Sequence, residues 1–74
     1  MGPAQATCSE KQQLTNRIRI ATDAIIAFSK AEMDAMHARN AAIEQAFERR
    51  LSTARRDRAA LVFSLQEHIR KHQC

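Results

Sequence analysis

Between Ala4 and Cys74 the chain contains neither glycine nor proline; each occurs once, at Gly2 and Pro3. Those two residues are the ones that end a helix by backbone sterics, so nothing past the third residue interrupts helical hydrogen bonding by necessity. Strand signals are weak. There is one valine, no tyrosine, and no sustained alternation of apolar and polar residues. The sequence therefore predicts an all-α chain.

Size limits what such a chain can build. With 74 residues, no tryptophan and three phenylalanines, it forms one domain with a marginal core. Chains of this kind gain stability from a staple, a metal or a second chain. The opening residues, 1–8, read as a disordered lead, with residues 9–74 helical. Thr7 and Glu10 have capping-box spacing and predict a helix start near Ser9.

Larger apolar residues then recur at helical spacing. They are Leu14, Ile18, Ala21, Ile25 and Phe28, then Met36, Ile43, Phe47, Leu51 and Ala54, and finally Leu61, Leu65 and Ile69. Their average period is slightly above 3.6, longer than the 3.5 of a left-handed coiled coil. A second stripe of small residues lies beside the first: Ile20, Ala24, Ala27, Ala31, Ala35, Ala38, Ala42 and Ala46. Alanine is the best helix former and fills surface well, but an in-phase run also lets another helix approach closely.

Two architectures fit. The midpoint, His37 to Asn40, offers Asn40 as either a left-handed C-terminal residue or an N-cap. A turn there gives an antiparallel two-helix hairpin with arms of ~45 Å, packing as a bundle with another chain. The alanine stripe runs through Asn40 and favours the alternative, one long coiled-coil-like helix. A further break is conceivable at Leu51–Thr53, where Ser52 or Thr53 would cap a following helix. The hairpin is the preferred expectation. A single rod would be unstable alone in water.

The formal net charge is +4, and all of the excess falls in residues 39–74. The concentrated part is Arg49, Arg50, Arg55, Arg56 and Arg58, against Asp57 alone. On a helix these arginines encircle the axis, whereas a groove or phosphate backbone is met by cations on one side. No aromatic residues interleave with them for base stacking. They read first as a solvated waist and second as an anion-binding block. Arg50 and Arg58 border the apolar stripe, where they can snorkel or meet acids across an interface.

Chemistry is sparse. His68 and His72 share a helical face, with Glu67 and Cys74 close in sequence, but the terminus lacks a ligand framework. The two histidines, with Arg70 and Lys71, read as cations complementing a helix C-terminus. Met33 and Met36 read as seam filling. Carboxylates are scattered, and a two-helix object holds no pocket around Cys8, Cys74 or a serine. The expectation is no enzyme, cofactor, metal or small-molecule substrate. The two cysteines can bond only if the ends meet, which a hairpin allows, and free thiols are the expectation. The longest apolar run, Ala24 to Phe28, falls far short of the ~20 residues of a membrane span. No signal-peptide order, acylation match or prenylation box is present. A cytoplasmic protein is expected.

The functional expectation is a small helical interaction module, acting as a subunit, adaptor or chaperone-like partner in a homo-oligomer or helical heteromer. Leu14, Ile18, Ile25, Phe28, Met36, Ile43, Phe47, Leu51, Leu61, Leu65 and Ile69 are its candidate partner-binding residues. The alternative is a nucleic-acid-associated regulator using Arg49–Arg58.

Overall fold

A computed structural model describes the backbone of residues 2–72 and the side chains of residues 9–72. Two helices, α1 (Gly2–His37) and α2 (Ala41–His72), pack antiparallel against each other. Pro3 sits in the first turn of α1, where a missing N–H costs nothing. The helical backbone includes Thr7. The side chains of residues 1–8, where the lead and the capping box were expected, lie outside the described residues. The particle measures 57 × 14 × 12 Å, the length of a 36-residue helix and the width of two helices. Its radius of gyration, 16.6 Å, is well above the ~11 Å of a globular chain of this length.

The turn is three residues long. Arg39 takes the left-handed conformation, with φ 56°. Its N–H donates to the Met36 carbonyl at 3.1 Å, and the Asn40 N–H donates to the Ala35 carbonyl at 2.9 Å. This pair of bonds is the Schellman arrangement, which satisfies carbonyls left over at a helix end. Asn40 then caps α2. Its Oδ1 accepts from the Ile43 N–H at 3.2 Å, and its carbonyl accepts from the Glu44 N–H at 3.0 Å. Of the two roles open to Asn40 it fills the second, and the residue before it takes the left-handed position. The single long helix is thereby excluded. The other expected break, at Leu51–Thr53, does not occur, because α2 continues through it.

Between the helices runs a seam. On α1 its members are Leu14, Ile18, Ala21, Ile25, Phe28, Glu32 and Ala35, all half-buried or buried. On α2 they are Glu44, Phe47, Leu51, Ala54, Arg58, Leu61, Leu65 and His68, likewise half-buried or buried. Both series step alternately by three and four residues. That is a period of 3.5, so the helices keep the seam between them by winding left-handedly about each other. The longer period expected from the apolar residues alone is corrected here. Ala35, Glu44 and His68 occupy the seam where Met36, Ile43 and Ile69, each one residue away, were expected. Those three large residues are exposed. Phe28 and Phe47 meet across the seam, with ring centroids 6.1 Å apart and planes tilted by 42°.

The polar seam members are individually accommodated. Arg58 Nε donates to Thr22 Oγ1 at 2.8 Å, and Thr22 Oγ1 in turn donates to the Ile18 carbonyl at 2.8 Å. A half-buried guanidinium is thus tied to a specific level of the opposite helix. His68, buried, places Nδ1 3.6 Å from Glu10 Oε2 across the open end. Glu32 and Glu44 line one hollow near the turn. Among the described residues no buried side-chain nitrogen or oxygen is left without a partner.

Two sets of stability changes follow, both read by urea denaturation. Replacing Asn40 with alanine removes the cap and should cost about 1 kcal/mol. Arg39→Gly relieves the left-handed conformation and should stabilise the hairpin by roughly 0.5 kcal/mol, after the greater freedom of glycine in the unfolded chain is counted. Thr22→Val strands the Arg58 N–H and should cost about 1 kcal/mol, whereas Arg58→Met should be nearly neutral. In the double variant the cost of Thr22→Val should largely vanish. Additive losses would mean that the hydrogen bond does not couple the helices.

Candidate functional site

Two helices side by side leave two flanks, one on each side of the seam. Residues that immediately precede a seam position fall on one flank, and residues that immediately follow fall on the other. The antiparallel arrangement brings like flanks of α1 and α2 to the same side.

The preceding flank forms an open groove of about 770 Å³. Its floor contains Ala21, Phe28, Ala54 and Leu61. Ile20 and Ala24 of α1, and Thr53 and Ala60 of α2, form its walls. Arg17, Arg49, Arg50 and Asp57 line it too, giving three cations against one acid. We call it the arginine flank. The small side chains are why the groove is there: alanine at these levels leaves room that a leucine would fill. Arg50 also lies over the Phe47 ring, with its guanidinium carbon 5.2 Å from the centroid. Such a contact is worth about 0.5 to 1 kcal/mol and holds the side chain against the hairpin.

The other side of the seam has a different lining near the turn. Near the turn a hollow of about 500 Å³ is lined by Glu32, Glu44 and Glu48, with Arg55 the one cation, beside Met36, Leu51 and Ser52. Along α1 the same flank continues through Met33 and Ile26, both exposed. This is the glutamate flank.

The candidate partner-binding residues separate into two groups. Leu14, Ile18, Ile25 and Phe28 of α1, with Phe47, Leu51, Leu61 and Leu65 of α2, lie in the seam and face the other helix of the same chain. Met36, Ile43 and Ile69 are exposed. The exposed set also includes Ile20 and Met33, expected as a stripe member and as seam filling, together with Ile26 and Phe63. Ile20, Ile26 and Met33 each lie one position before or after a seam member, and Phe63 lies two from Leu61 and Leu65. The alanine stripe is likewise divided. Ala35 is buried in the seam, Ala24 and Ala31 are half-buried beside it, and Ala42 and Ala46 are exposed on α2.

The arginine block does not converge. Arg58 is in the seam, Arg50 lies on the arginine flank over Phe47, and Arg55 lines the glutamate hollow. Arg49 borders the arginine groove, and Arg56 is exposed on the outer face of α2. At the open end, the His68 and His72 rings lie 4.8 Å apart. Arg70 and Glu67 form a two-point ion pair at 2.6 Å. Among the described residues no group of three or more histidine, cysteine, aspartate or glutamate side chains is placed to hold a metal. The Cys8 side chain and Cys74 lie outside the described residues. Among the described residues no helix is long and apolar enough to cross a membrane.

No family model matches the chain, and neither a curated protein nor a solved structure matches it.

A charge placed in the seam tests its role as a scaffold for both flanks. Phe47→Asp buries a carboxylate opposite Phe28 and should unfold the hairpin, seen as loss of most helical circular dichroism at 25 °C. Retained helicity would mean that the seam is not what holds the two flanks in place.

Proposed function

We propose that this protein is a non-catalytic helical interaction module, a subunit or adaptor that works by laying the outer flanks of its hairpin against helices of another chain. One observation carries the reading. The seam already uses one strip of α1, yet Ile20 on one flank, and Ile26, Met33 and Met36 on the other, leave large apolar side chains in water. Single exposed apolar residues are ordinary on any surface. Here Ile26, Met33 and Met36 recur along one side of α1, with Ile20 on the other, next to grooves, and exposed apolar residues clustered on a helix face are what other helices cover. The polar outer strip of α1, Asn16, Asp23, Lys30 and His37, marks the side left to solvent.

The two grooves are open and the ionisable groups lining them do not converge on a point, which fits the same reading. Affinity would come from apolar area and close backbone approach over the alanines. The charges along each flank would set orientation and partner choice.

The test is a comparison of two tagged chains in a lysate. The wild-type hairpin should retain at least one protein, whether a copy of itself or another chain. A variant carrying Ile20→Glu and Met33→Lys should lose it while keeping its helical circular dichroism. Equal retention by both chains would refute an apolar-flank interaction.

A further inference from the structure

We propose that Ser52 is a phosphoacceptor, modified by an arginine-directed serine kinase with Mg·ATP, and that Arg49, Arg55 and Arg56 clasp the phosphate once it is attached. The proposal is independent of the reading of the hairpin as an interaction module. It starts from the run Arg49, Arg50, Leu51, Ser52. Ser52 is the one serine or threonine of the chain with arginines both two and three residues before it. A kinase that selects substrates by charge presents carboxylates to such a pair, because guanidinium and carboxylate make two parallel hydrogen bonds. Thr22 follows Arg19 by three residues, but it is half-buried, and its hydroxyl is engaged with the Ile18 carbonyl and with Arg58. Ser52 is exposed.

The fold places around Ser52 the groups that would receive the product. Residues three or four apart on a helix are neighbours, so Glu48, Arg49, Arg55 and Arg56 surround this serine. Two hollows meet there. One is lined by Arg49 with Gln45 and Glu48, the other by Arg55 with Glu32, Glu44 and Glu48. A phosphoserine brings a charge of about −1.5 to −2 and three strong acceptor oxygens. Three guanidiniums on one helical face match that charge and those acceptors, against Glu48 alone. Glu32 and Glu44, in the seam across the second hollow, push the group outward toward the arginines. Arg49 and Arg50 thus select the serine, and Arg49, Arg55 and Arg56 hold the phosphate.

In the transfer, a bond forms between Ser52 Oγ and the γ-phosphorus of ATP, and the bond from that phosphorus to the bridging oxygen breaks. ADP leaves with the electron pair, and the hydroxyl proton passes to a carboxylate base of the kinase. Kinases take their acceptor in extended backbone, whereas Ser52 sits inside α2 beside Leu51, which is 5% exposed. Transfer therefore requires this turn to unwind, and its rate follows the opening of the hairpin. The formal charge of the chain falls from +4 to about +2 on modification.

The experiment treats the full, reduced chain with a purified arginine-directed serine kinase and Mg·ATP, and locates the phosphate by tandem mass spectrometry. One phosphoryl group should enter at Ser52, and none should enter Ser52→Ala. Replacing Arg49 and Arg50 together with glutamine should lower kcat/KM at least about tenfold, the loss of one charge-assisted pair. Ile25→Asp opens the seam without altering the sequence around Ser52, and should be modified faster than the wild type. On the purified phosphorylated chain, a phosphorus NMR titration should place the second ionisation below its ordinary value of about 6. Arg55→Gln with Arg56→Gln should bring it back. No transfer to the wild-type chain, transfer to Thr53 instead, or transfer indifferent to Arg49 and Arg50 would each overturn the acceptor assignment. Equal rates for the wild type and Ile25→Asp would overturn the gating by hairpin opening. A phosphate that titrates at its ordinary value in the wild type would overturn the clasp.

Discussion

Two helices laid side by side can shield only the strip of each that faces the other. Every other property of this hairpin follows from that limit. Among the described residues only Ala35, Leu51, Ala54 and His68 are buried, while Ile20, Ile26, Met33 and Phe63 remain well exposed. A third or fourth helix would be needed to enclose α1, and the described residues form only two. The fold is therefore self-consistent along its seam and unfinished along its flanks. The same alanines that let α1 and α2 lie close also keep the adjoining groove open.

Polar residues in the seam give this narrow contact its specificity. An all-leucine seam would tolerate sliding by a heptad and either relative direction of the helices. Arg58, hydrogen-bonded to Thr22, is satisfied only when the helices stand at one level, and the approach of His68 to Glu10 requires the same level. The three-residue turn imposes the same level from the other end. The local and the long-range determinants thus agree, which is what a single native arrangement requires.

Much of this was legible in the sequence, and the failures have physical causes. Helicity follows from the missing glycines and prolines. The position of the turn follows from Asn40, an N-cap by side-chain chemistry. The left-handed residue was not legible, because arginine carries no preference for that conformation and Arg39 adopts it through its neighbours' hydrogen bonds. The 3.5 period was hidden because Glu32, Glu44, Arg58 and His68 hold seam positions. A reading that follows large apolar side chains steps over them onto Met36, Ile43 and Ile69, which lie one residue to the side. The flanks were hidden for the same reason. Once the seam is placed, the apolar residues that do not belong to it become the informative ones.

The turn near mid-chain also dictates an order of assembly. Residues that meet beside it, such as Phe28 and Phe47, are close in sequence, and closing the loop between them costs little conformational entropy. Residues that meet at the open end, such as Glu10 and His68, are joined by most of the chain. Loop closure becomes progressively cheaper once the preceding level has formed, so the hairpin zips from Arg39 toward its ends and frays in the reverse direction. The earliest structure to form would hold both Met36 and the glutamates beside the turn. Growing chains would therefore display part of their glutamate flank before the arginine groove is complete.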